Sequence, residues 1–125
     1  MLQNISKVLL SEEQIQTRVK ELATELSREY AGKDPVFVGV LKGVVVFYAD
    51  FMKYFTEHCQ MDFMWISSYA GTTSGEMIVR KDVSVDLKGR HVVILEDIFD
   101  TGNSLQYTYQ HLLTKSANRF GLENL

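Results

Sequence analysis

Val92-Val93-Ile94-Leu95-Glu96-Asp97-Ile98-Phe99-Asp100-Thr101-Gly102-Asn103-Ser104-Leu105 decides the fold. Four apolar residues run into two adjacent acids. A third acid stands at Asp100, followed by Thr-Gly-Asn-Ser and then by Leu105, Tyr109, Leu112 and Leu113 at helical spacing. The pattern predicts a buried central strand over 91–96, a phosphate-sized loop and a helix start. Three carboxylates then lie at or just past the strand's carboxyl end. Open α/β sheets bind ligands at that end, and helix N-termini attract phosphate.

The loop has the parts of an anion cradle. Thr101 and Ser104 supply hydroxyls, and Gly102 lets the backbone turn sharply and approach a ligand closely. Successive N–H groups from Asp100 to Ser104 can form a nest, to which the helix behind adds roughly half a unit of positive charge. A phosphate monoester fits without a Lys or Arg in the loop. Glu96 and Asp97 suit different work: accepting hydrogen bonds from vicinal hydroxyls, or holding a hard cation such as Mg2+ directly or through water. A phosphate beside a diol describes a ribose 5-phosphate. An Asp-Thr-Gly standing alone after a strand is more often a turn with a helix cap. The Glu96-Asp97 pair shifts the balance, because adjacent buried carboxylates repel and a purely structural use offers nothing to offset that repulsion.

Working outward, Val36–Leu41 reads as a buried parallel strand that ends in Lys42-Gly43. Residues 11–31 form the clearest helix. Ser11 and Gln14 make a capping box, and Ile15, Val19, Leu22, Ala23, Leu26 and Tyr30 form one apolar stripe. Gly32 is its expected stop, with Pro35 just beyond. Residues 44–56 carry Val44, Phe47, Tyr48, Phe51, Met52 and Phe55, a second amphipathic helix. Residues 61–67 and 77–83 read as strands around Ser67-Ser68-Tyr69-Ala70-Gly71-Thr72-Thr73-Ser74-Gly75-Glu76, a small, polar, glycine-bearing loop expected to be mobile. Asp86–Arg90 reads as a polar turn. Strands alternating with helices imply an α/β fold: a mostly parallel central sheet flanked by helices.

The chain has 125 residues, which suits one domain, and 46% of them are hydrophobic, enough for a real core. A net charge of −3 gives no global pull toward nucleic acid or an anionic membrane, so any phosphate binding must be local. Cys59 is the single cysteine, which excludes an intramolecular disulfide and fits a reducing compartment. His58 beside it does not complete a metal-ligand set. Neither a secretory signal nor a spanning segment is recognisable, so a cytoplasmic location is expected. There is no repeat, linker or low-complexity segment, and the Met and Phe residues of 47–65 are most simply core.

The acidic stretch and the loop after it resemble the phosphoribosyl pyrophosphate (PRPP) motif of type I phosphoribosyltransferases. The form Glu-Asp-x-x-Asp-Thr-Gly, with an acid at Asp100, is similar to the bacterial 6-oxopurine branch, and the resemblance covers nearly all of residues 5–113. It implies transfer of a phosphoribosyl group from PRPP to hypoxanthine or guanine, giving IMP or GMP and pyrophosphate. Glu96 and Asp97 would serve the ribose hydroxyls and Mg2+. Asp100 would be the general base, and Asp100, Thr101, Gly102, Asn103 and Ser104 would hold the 5′-phosphate. Lys42-Gly43, by itself an ordinary strand-to-helix turn, resembles the family's pyrophosphate loop, which tends to have a cis peptide before the Lys. Ser68 and Tyr69 match the Ser-Tyr signature of the loop that closes over the site. The family usually self-associates, so a homo-oligomer is expected.

The tail departs from the family. After Leu113 comes Thr114-Lys115-Ser116-Ala117-Asn118-Arg119-Phe120-Gly121-Leu122-Glu123-Asn124-Leu125. It lacks the Val, Ile and Ala of the family's next strand and reads as a frayed, atypical polar tail over 114–125. The expectation is an incomplete domain over 1–125, truncated at its C-terminus. The purine-binding part would be absent, and a flank of the sheet with it. Three function classes stay open: the transferase, a PRPP- or nucleotide-binding module without turnover, and a remnant that folds poorly. The acidic balance argues against an RNA-binding regulator.

Overall fold

The computed structural model describes residues 12–68, 77–96, 103–115 and 119–124. The elements are α1 (Glu12–Glu29), β1 (Val36–Leu41), α2 (Val45–Tyr54), β2 (Gln60–Ser68), β3 (Met77–Lys81), β4 (His91–Glu96), α3 (Asn103–Leu113) and β5 (Arg119–Asn124). They build one sheet in the order β3-β2-β1-β4-β5. β1 is central and pairs in parallel with both β2 and β4, β5 is parallel to β4, and β3 returns antiparallel on β2. The expected α/β architecture is therefore present.

The apolar stripes sort onto two faces because strand side chains alternate. Phe37, Val93 and Leu95 meet Val19, Leu22, Ala23, Leu26 and Tyr30 of α1 and Val44, Phe47, Tyr48 and Phe51 at α2. Val36, Val38, Val40, Met64, Ile66, Val92 and Ile94 meet Leu112 of α3 on the other face. α1 ends at Glu29 because Gly32 takes φ +76°, a left-handed turn open to glycine at no steric cost. Gly39 is needed for close approach. A Cβ there would overlap the Tyr48 ring, lying 2.6 Å from Cε2, while the Tyr48 hydroxyl donates to the Phe37 carbonyl at 2.7 Å. Burial pushes that phenol well above its ordinary range.

Three expectations are corrected. Strand β3 stops at Lys81 rather than 83, because the N–H groups of Ser84 and Val85 are taken by the buried Asp62 carboxylate at 2.6 and 2.8 Å instead of by a ladder partner. The 86–90 turn is not wholly polar: Leu87 is 1% exposed and plugs the α3-side core, while Gly89 at φ +74° makes the turn. The tail is not frayed over 119–124, where β5 runs beside β4 from His91↔Arg119 to Glu96↔Asn124. Ladder bonds are made by main-chain groups, so a segment of modest β-propensity can still pair where a buried strand leaves its N–H and C=O groups open. β5 occupies the flank expected to be missing.

Candidate active site

The two decisive loops leave the sheet side by side. β2 lies on one flank of β1 and β4 on the other, so the strand order reverses beside β1. Ligands bind outside the carboxyl ends of the strands at such a point. Gly39 of β1 is level with Leu95 of β4, so the segment after Leu41 and the acid at Glu96 border one crevice.

On the β1 side, the Leu41–Lys42 peptide is cis. Lys42 and Gly43 are exposed in a short turn, and Val45 N–H donates to the Lys42 carbonyl at 3.2 Å as α2 begins. No side chain caps α2, and its first turn carries no acid, which favours an anion at that end. The Lys42 Nζ sits over the Trp65 ring of β2, 4.9 Å from its centroid.

On the β4 side, Glu96 is 5% exposed and, by alternation, shares the face of Val92 and Ile94. Asp97, Asp100, Thr101 and Gly102 lie outside the described residues. Asn103 and Ser104 are where α3 opens, again with no acid in the first turn. Of the expected phosphate loop, Asn103 and Ser104 thus stand in the first turn of α3, and the rest lies outside the described residues. Ser68 is the last residue of β2, pairing with Met77 of β3. The hairpin therefore rises from the crevice's end of the sheet, while Tyr69 and the rest of that loop lie outside the described residues.

A polar brace supports this frame from behind. Asp62 accepts from the Phe63, Ser84 and Val85 N–H groups, with Lys81 Nζ at 3.6 Å. Next along the chain, Asp82 binds the far end of α3: His111 Nε2 at 3.0 Å and Lys115 Nζ at 3.0 Å. Partial burial works to raise the Asp82 carboxyl pKa, but bonds from Lys115, His111 and the Val83 N–H prevail and leave it lowered. At the amino end, Arg90 donates to the Asp34 carbonyl and carboxylate, and His58 Nδ1 lies 3.1 Å from the same carboxylate. Burial, then the Asp34 charge, pushes the Cys59 thiol up, so it is a poor thiolate nucleophile. A cavity of about 270 Å3 between the ends of α1 and α2, lined by Ser27, Arg28, Tyr54 and Glu57 among others, opens at the strands' amino ends, away from the crevice. Trp65, Asp62 and Asp82 were not foreseen as parts of this frame. A single sequence carries no sign of which strands lie side by side.

The family model for the phosphoribosyl transferase domain matches residues 7–122. The chain belongs to the phosphoribosyltransferase family. The hypoxanthine-guanine phosphoribosyltransferase of Streptococcus mutans is 46% identical over 125 residues, covering 98% of this chain and 69% of that protein. That of Streptococcus agalactiae is 48% identical over 121 residues, covering 94% and 67%. A crystal structure of the hypoxanthine phosphoribosyltransferase of Staphylococcus aureus superposes with a TM-score of 0.86 at 39% identity, over 94% of this chain and 65% of that one. The hypoxanthine phosphoribosyltransferase of Trypanosoma cruzi in complex with the product IMP does so with a TM-score of 0.83 at 35% identity, over 94% and 68%. The chain thus spans about two thirds of the length of these phosphoribosyltransferases. Among the described residues, no helix is long and apolar enough to cross a membrane.

Proposed function

We propose that this chain acts in purine salvage as a hypoxanthine/guanine phosphoribosyltransferase, moving the phosphoribosyl group of PRPP onto hypoxanthine or guanine to give IMP or GMP and pyrophosphate. One observation carries the proposal beyond family membership. The Lys42-Gly43 loop and Glu96 flank the crevice at the strand-order reversal, so the pyrophosphate and the ribose of one PRPP molecule have separate places to bind.

Breaking the bond from C1 to pyrophosphate leaves positive charge on the ribose ring, much as in glycoside hydrolysis. Glu96 and Asp97 at the ribose hydroxyls stabilise that charge. Asp100 takes a proton from the purine nitrogen. The N–H groups and hydroxyls of Thr101, Gly102, Asn103 and Ser104 hold the 5′-phosphate. Lys42 and Gly43 present backbone N–H groups to pyrophosphate. The loop beginning at Ser68 and Tyr69 closes over the site and excludes water, whose attack on PRPP is the competing reaction. The donor set fits magnesium, since Glu96 is a buried carboxylate at the strand end and hard cations take oxygen ligands. Glu96 and Asp97 would hold the ion. When bound, it neutralises charge on the departing pyrophosphate. A cytoplasmic location agrees with the single free Cys59.

The test is incubation of the purified chain with Mg2+, PRPP and either hypoxanthine or guanine, following IMP, GMP and pyrophosphate, with Asp100→Asn alongside. Product that depends on Asp100 is expected. No product, with Mg2+·PRPP still raising the melting temperature, would replace the transferase with a PRPP-binding module lacking turnover.

A further inference from the structure

Strand β2 carries a residue that the proposed reaction does not use. Phe63 and Trp65 project toward the α2 side of the sheet, alternating with the buried Met64 and Ile66 on the other. Phe63 is covered there by Tyr48, with ring centroids 4.8 Å apart. Trp65 is one step nearer the carboxyl end, level with Leu41, where α2 has yet to begin. It is half-buried rather than sealed into the core. The pairing of β2 with β3 also shifts register between Trp65 and Ile66, an irregularity of the kind that re-aims side chains beside active sites. The indole face left open at this point holds the Lys42 ammonium, 4.9 Å from the ring centroid. Lys42 is the first residue of the turn, and its side chain would otherwise be a solvated, mobile lysine.

We propose that Trp65 is a positioning residue for the pyrophosphate loop: its ring seats the Lys42 ammonium and thereby holds the Lys42 and Gly43 backbone N–H groups toward the crevice. The proposal rests on the assignment of that loop made above. An ammonium over an indole face is an attractive arrangement, with Trp the best of the aromatic faces and Phe weaker. The contact is partly in water, so its effect is modest. It restricts a turn of three residues, and its loss shows as weaker binding of the leaving group rather than as a failure to fold.

The test is a double-mutant cycle on Lys42→Met and Trp65→Val, with Mg2+·pyrophosphate binding measured by calorimetry and KM for PRPP and kcat measured beside it. Trp65→Phe serves as the conservative variant. Each single change is expected to weaken pyrophosphate binding about two- to fivefold. The double mutant should be no weaker than either single, Trp65→Phe should fall between, and KM should move more than kcat. Trp65 is the chain's single tryptophan, so emission excited selectively at indole reads the contact without ligand, and Lys42→Met should change it. Independent, multiplying effects in the cycle, or identical emission from Lys42→Met and the parent chain, would overturn the proposal while leaving the loop assignment standing. A parent chain that binds no Mg2+·pyrophosphate would overturn the loop assignment and this proposal together.

Discussion

At the scale of the residue, single atoms decide what is tolerated. Gly39 stands in β1 with no room for a methyl group, because the Tyr48 ring lies against it and Tyr48 is held by its bond to the Phe37 carbonyl. Gly39→Ala is expected to destabilise the fold by about 1–3 kcal/mol through overpacking, seen as a lower melting temperature. A neutral outcome would mean that the Tyr48 ring can move aside. Asp100→Asn keeps the shape of the side chain and removes the base. Turnover should drop by about 10²-fold or more, while Mg2+·PRPP affinity, read by calorimetry, stays close to that of the parent. Unchanged turnover would remove Asp100 from the mechanism. Gly102→Val should abolish PRPP affinity by filling the space a phosphate needs; full affinity would count against the phosphate-loop assignment.

At the scale of the element, α3 is docked at its carboxyl end by ion pairs. His111 in its last turn and Lys115 just beyond it bind Asp82. The Asp82 carboxyl pKa is lowered in the folded chain. Its contribution to stability is therefore present above the unfolded carboxylate value of ~3.9 and lost as pH falls through the lower folded value. Asp82→Asn should lower the melting temperature near neutrality. The gap to the parent should hold down to about pH 4 and close as pH falls further, through the lower folded value. A gap that stays constant across that range would show that the charge of Asp82 does not dock α3. The same element shows how far periodicity reaches. Leu112 and Tyr109 marked the buried side of α3 and pack there, whereas Asp82 lies distant in sequence and belongs to no pattern. The end of β3 was missed for a related reason: Asp62, on a different strand, takes the N–H groups that would have continued the ladder.

At the scale of the whole molecule, β4 depends on having neighbours on both sides. Val92, Val93, Ile94 and Leu95 are all at most 1% exposed, and β5 supplies the second ladder. Removing residues 117–125 would leave β4 as a long apolar edge. The shortened chain is expected to self-associate in light scattering and to melt earlier; a monodisperse, equally stable product would show that β5 is dispensable. Periodicity, glycine turns and loop chemistry are local properties of the chain, and so the alternation of strands and helices, the sides they bury and the acidic stretch that carries the family resemblance are all legible in the residues alone. Strand order and long-range contacts set the rest: Lys42-Gly43 and Glu96 border one crevice, Trp65 lies under Lys42, Asp62 and Asp82 brace the frame, and 119–124 adds a strand beside β4. Each of these rests on strand order and on hydrogen bonds between distant segments, which no spacing within a single segment encodes.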